Sequence, residues 1–176
     1  MALTSGPPKL RETLPDGTYV TQHKETARCV IDQASKLWAG VIPRWSLVYQ
    51  SRSGAPHSPW LEPDIRDALR ASSIGGTSAV IVIPIGFVSD HIEVIWDLDN
   101  EASQVADESG LRFIRIATPC TSPDFISGLA QLLEERLVSA ERKALSPLGP
   151  WADFCKPDCC PNARANLPAV AQTSDL

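Results

Sequence analysis

Four carboxylates, Asp90, Glu93, Asp97 and Glu101, recur at spacings of three and four residues, with His91 between the first two. Oxygen donors in such a row hold divalent cations loosely, which suits passing an ion on better than storing it. The imidazole adds a ligand for transition metals and a base that titrates near neutral pH. The same groups can accept protons from a reacting centre. From Ser89 to Leu111 there are seven acids and no Lys or Arg. Like charges four residues apart then lack local partners, so a metal ion or bound protons are expected to neutralise them. A row of this kind on an arbitrary amphipathic helix is usually a solvated face, but the absent cations and the adjacent imidazole weigh against that. His23 and His57 stand apart from any such cluster and are read as structural.

A second group of chemically capable residues, Cys155, Cys159 and Cys160, is crowded into residues 151–161 without a His at zinc-finger spacing. Thiolates this close favour a soft metal or a cluster; three exposed, oxidisable thiols are the alternative. Cys29 and Cys120 are isolated. The pattern fits a metal or redox site in a reducing compartment better than a disulfide framework.

Elements must hold the carboxylate row in place. Residues 19–38 carry apolar side chains at helical spacings, and Gly40 and Pro43 end that helix. Residues 45–50 read as a strand leading into a turn, and residues 64–71 as a second helix. Residues 78–85 are almost continuously Val and Ile, as in a parallel strand covered on both faces. Ser89 is a suitable N-cap for the acidic helix, which runs to Glu108 before Gly110. At about 100° per residue the four carboxylates fall within roughly 80° of arc. Residues 112–117 supply another strand, and Ser122-Pro123-Asp124 opens a last helix expected to reach Ala144. Alternating helices and strands predict an α/β fold, a three-layer sandwich with a parallel sheet flanked by helices. Residues 1–17 read as an exposed lead-in, 18–146 as the folded domain, and 147–176 as an irregular cysteine-containing tail. Sites in such sheets form beyond the C-terminal ends of the strands, where the acidic helix begins.

A chain of 176 residues has room for one domain, and 43% hydrophobic with 21% charged residues is an ordinary globular balance. The net charge of −5 excludes a binder driven by nucleic-acid phosphates. The longest apolar run, residues 79–85, is far short of the roughly 20 needed to span a bilayer. The N-terminus lacks a charged start followed by an apolar signal core, so a cytoplasmic protein is expected.

At two separated stretches the sequence resembles the ferrochelatase family, whose members insert ferrous iron into a porphyrin. Residues 45–63, WSLVYQSRSGAPHSPWLEP, are similar to the family segment in which a strand ends in a Gln-Ser turn and continues to Trp-Leu-x-Pro. Residues 83–101, IPIGFVSDHIEVIWDLDNE, resemble its most diagnostic stretch. The resemblance covers residues 17–137. It implies that Glu93 is the carboxylate of the metal-insertion site, with His91 and Asp90 as neighbouring catalytic groups. It implies further that Asp97 and Glu101 continue the metal path with Asp99 beside them, and that Trp60 and Ser89 contact the porphyrin. Iron would then be the substrate metal. Cys155, Cys159 and Cys160 would hold a [2Fe-2S] cluster with a fourth thiolate from elsewhere.

The family is built from two similar α/β domains enclosing the porphyrin, so the resemblance makes this chain the second half and the other half-domain its partner. The family's His motif, Ser/Thr-x-His-Ser-x-Pro, does not occur in the sequence. A fragment, or a reading frame opened at an internal methionine, is expected. The cysteine tail and the Arg52-Ser53-Gly54 loop resemble actinobacterial members, for which coproporphyrin is the expected substrate. Two other readings stay open: a metal-binding or interaction module without catalysis, and a chelatase for cobalt or nickel with a different tetrapyrrole.

Overall fold

The computed structural model describes residues 2–5, 18–52, 55, 57, 60–145, 147, 149–150 and 153. In chain order the elements are β1 (Ala2–Ser5), α1 (Thr18–Leu37), β2 (Leu47–Gln50), α2 (Ile65–Ile74) and β3 (Ala79–Pro84). Then come α3 (Ile92–Val94), a π-helical segment (Ile95–Ala102), α4 (Ser103–Glu108), β4 (Arg112–Arg115) and α5 (Pro123–Leu137). The sheet is parallel, in the order β2-β1-β3-β4.

One expectation fails at the start of the chain. Ala2–Ser5, read as part of an exposed lead-in, pairs with β2 on one side and β3 on the other. Four residues are too few to show a period, and their strand character comes from partners more than forty residues away in sequence.

Alternation along β2 sends side chains to two cores, as a strand requires. Val48 joins Ile65, Leu69, Val80, Val82, Val94 and Leu98 beneath α2 and the acidic helix. Tyr49 packs on the other face with Val20 of α1 and Leu61. Helices therefore lie on both faces, giving the three-layer α/β arrangement. The coverage is uneven. Val80 and Val82 are buried, but Ile81 remains 43% exposed, so β3 is not covered on both faces as its composition predicts. α5, the element after β4, contributes no buried residue to that face.

Local chemistry sets the helix ends. The Asp64 side chain caps α2 by accepting from the Arg66 amide at 2.9 Å. The α2 end closes with Gly76 at φ 79° and the Thr77 amide donating to the Ser72 carbonyl at 3.0 Å. α4 ends the same way: Gly110 at φ 67°, the Leu111 amide to Ala106 at 2.9 Å, and the buried Leu111 side chain sealing the turn. α5 starts at Ser122 as expected but stops at Leu137, short of Ala144, and Ser139 enters the left-handed region at φ 53°.

Candidate site on the acidic helix

Residues 92–108 form one uninterrupted helix whose middle eight residues, Ile95–Ala102, are wound as a π-helix. Such i→i+5 winding is uncommon and concentrates at functional sites. It turns less per residue than an α-helix, so side chains four apart, such as Asp97 and Glu101, drift less around the axis. Val94, Leu98 and Ala102 face the core at the same spacing and are fully buried. Apolar packing beneath thus aims the carboxylates outward, at the C-terminal ends of β2, β3 and β4. Ser89 is not the N-cap. The helix begins at Ile92 with His91 in the cap position, making no side-chain cap bond, while the Ser89 carbonyl accepts from the His91 amide at 3.1 Å.

The carboxylates are not alike. Arg115, at the end of β4, donates through Nε and Nη2 to Asp99 at 2.8 and 2.6 Å, and through Nη1 to Asp90 at 2.9 Å. These bonds, the Asp99 fork foremost, raise the Arg115 pKa above its ordinary value. Burial pushes the Asp90 carboxyl up, but Arg115 and Thr118 together outweigh it and hold the group below its usual range. Asp90 Oδ1 and Thr118 Oγ1 are both buried without a hydrogen bond of good geometry among the described residues.

Asp97 accepts from the Ser51 hydroxyl at 2.5 Å. Partial burial, reinforced by the nearby Glu101 and Glu93 charges, pushes its carboxyl above the ordinary range despite that bond. Ser51 holds φ 60°, which a non-glycine residue adopts at a cost. Beside it Gln50, 1% exposed, leaves its amide Oε1 without a donor among the described residues. Glu101 accepts from Arg66 Nη1 at 3.2 Å and from the Trp96 indole at 3.3 Å. Arg66 also grips Asp64.

Asp90, Asp99 and Glu101, expected to lack cations, therefore find them on other elements, β4 and α2, and Asp97 finds a hydroxyl. Glu93 is the exception on the line: it is exposed, and among the described residues its carboxylate has no hydrogen bond or ion pair. His91 next to it is exposed, with its ring edge-on to Phe87 at 4.9 Å and 69°. Among the described residues no three His, Cys, Asp or Glu side chains gather closely enough to hold a metal ion. The expected set of Glu93, His91, Asp97 and Glu101 is thus a line rather than a closed cage.

Trp60 is half-buried, and its indole N–H is buried without an acceptor among the described residues. It borders a 200 Å³ hollow with Arg52, Leu61, Glu62, Asp64 and Asp67. Ser89 is half-buried near the helix start. A larger hollow of 420 Å³ lies between α1 and β2, against Val20, Arg28, Trp45 and Tyr49, on the face of the sheet away from the acidic helix. Cys155, Cys159 and Cys160 lie outside the described residues; Cys29 is half-buried and Cys120 exposed, both as free thiols. His23 is structural as read, with Nδ1 2.8 Å from the Tyr19 carbonyl and a pKa lowered by burial.

Sequence reading missed Arg115, Arg66 and Ser51. Only Ser51 had left a trace, as part of the Gln-Ser turn.

A four-stranded parallel sheet with helices on both faces and acidic side chains at its C-terminal edge defines an α/β protein of the chelatase kind. A family model for ferrochelatase matches residues 5–137. The coproporphyrin III ferrochelatase of Tropheryma whipplei is 48% identical over 154 residues, covering 86% of this chain and 39% of that protein. The enzyme of the same name from Streptomyces griseus is 49% identical over 160 residues, 88% of this chain and 42% of that protein. The ferrochelatase of Rhodopirellula baltica is 44% identical over 144 residues, 81% and 39% respectively. The chain belongs to the ferrochelatase family. It spans about two fifths of the length of these relatives. Among the described residues no helix is long and apolar enough to cross a membrane.

Proposed function

We propose that this chain forms the iron-handling wall of a cytoplasmic ferrochelatase that inserts ferrous iron into coproporphyrin III during heme biosynthesis. The observation that carries the reading is Glu93, the one carboxylate on the line left without a partner among the described residues, standing beside His91 where the strands end. Insertion requires iron to shed water and two pyrrole N–H protons to leave as the ring nitrogens take up the metal. A free carboxylate and an imidazole can serve both steps. Asp97, whose carboxyl is pushed above its ordinary range by partial burial, and Glu101 extend the path along the helix. Asp90 is committed to Arg115 and acts by holding the turn. Trp60, with an unsatisfied indole donor, and Ser89 are the candidate porphyrin contacts.

The opposing half-domain would supply the second wall of the cleft. The [2Fe-2S] assignment to Cys155, Cys159 and Cys160 is carried by the sequence pattern alone. A second reading is a module that binds metal without inserting it, using the exposed Glu93 and His91 alone.

Anaerobic mixing of the chain with ferrous iron and coproporphyrin III separates the two. Metal binding without metalloporphyrin formation is expected of the chain alone, and a rate comparable to a complete ferrochelatase would overturn the need for a second wall. In a full-length enzyme carrying this sequence, Glu93→Gln should abolish insertion while porphyrin still binds, because charge and proton acceptance are lost with little change of shape. Undiminished turnover would remove Glu93 from the site.

A further inference from the structure

We infer, resting on the reading of the acidic helix above, that Arg115 is a positioning residue that fixes the His91–Glu93 turn and so sets its affinity for a divalent cation. Three of its guanidinium N–H groups reach two carboxylates, Asp90 at one end of the turn and Asp99 six residues beyond Glu93. The side chain is only 15% exposed. Its backbone is anchored as well: Arg115 pairs with Val82 of β3, and the next amide, Ile116, donates to the Val82 carbonyl at 2.9 Å. The clamp therefore ties a helix to a sheet, across the loop that carries His91.

Neither His91 nor Glu93 touches the clamp, yet both lie between its two jaws. His91 has only the ring of Phe87 for side-chain support, and Glu93 has no side-chain tie, among the described residues. The orientation of the pair therefore depends on how firmly Asp90 and Asp99 are held. Partners that orient a ligand without touching the metal typically change affinity about 10- to 100-fold when removed. A simple charge-balancing role makes a different prediction. Arg115→Lys would keep the charge but could not fork onto Asp99 while reaching Asp90, because a lysine ammonium is a point donor.

The test uses the intact chain, Co²⁺ alone as the probe, and the variants Arg115→Lys and Arg115→Met, with Ile65→Val as a control for lost stability away from the site. Calorimetric titration should show Co²⁺ affinity reduced about 10-fold or more in both Arg115 variants and unchanged in the control. Hydrogen exchange, read without metal, should speed up in residues 89–95 of the Arg115 variants while β3 amides stay protected. Wild-type affinity in Arg115→Lys together with unchanged exchange in residues 89–95 would overturn the positioning role. Faster exchange in the variants of a chain that binds no Co²⁺ even as wild type would uphold the clamp and sink the ion-binding reading instead. If Arg115→Met does not fold, Asp99→Asn, which weakens the fork alone, should show both changes to a smaller degree, and an Asp99→Asn variant indistinguishable from wild type in both would count against the clamp.

Discussion

Asp90 and Asp97 sit seven residues apart and their pKa values are shifted in opposite directions, which makes the helix readable by pH. Burial raises the Asp90 pKa, but Arg115 and Thr118 outweigh it and leave the group lowered. Its charged form therefore stabilises the fold above the ordinary carboxylate pKa of about 3.9, and that contribution is lost as pH falls through the lower folded value. Asp97 is raised by burial and by its acidic neighbours. Ionising it costs stability as pH rises from about 3.9 through the raised folded value. Asp97→Asn should accordingly raise the melting temperature at pH 7, and Asp90→Asn should lower it, with both differences shrinking towards about pH 3. Thermal melts of the two variants across that range check the signs, and melting shifts of the same sign at pH 7 would refute the contrast. A stabilising Asp97→Asn would mean that the line keeps a charge at the expense of the fold, as functional sites often do.

The acidic helix is held from three directions, by Ser51 after β2, Arg66 on α2 and Arg115 on β4. No Gly or Pro interrupts residues 92–108, so its π-winding is not imposed by a helix breaker. α2 owes its own start to Asp64, which both caps the helix and pairs with the Arg66 side chain that reaches Glu101. Asp64→Ala should cost about 1 kcal/mol through the lost cap. Asp64→Asn should recover most of it, since an Asn oxygen can accept the same amide bond. Urea midpoints of the two variants test this. Equal losses would show that the ion pair with Arg66 dominates instead.

Taken together, the elements leave one side of the sheet thinly covered. Ile116 is 45% exposed, like Ile81 on β3, and α5 presents Leu133 and Leu137 to solvent, the latter 79% exposed. Exposed apolar surface of this kind drives association, and a net charge of −5 is modest opposition. The chain alone should therefore self-associate in a concentration-dependent way. Leu133→Lys with Leu137→Lys should reduce this in sedimentation velocity without lowering the melting temperature, because neither side chain is buried. A loss of stability in that double variant would show that α5 packs on the fold more tightly than its exposure indicates.

Much of the site could be read before any coordinates. Glu93, Asp97 and Glu101 share a helix face because a four-residue spacing is a local property of the chain, and the same holds for the cap at Ser122 and the stop at Gly110. The Val and Ile run announced β3, and two motifs announced the family. What could not be read joins residues distant in sequence. Arg115 meets Asp90 and Asp99 across 25 and 16 residues, Arg66 meets Glu101 across 35, and Ser51 meets Asp97 across 46. β1 likewise becomes a strand only by pairing with β2 and β3. Periodicity and capping are written in neighbouring residues, whereas which carboxylate is neutralised, which is desolvated and which stays free depends on what packing brings alongside it.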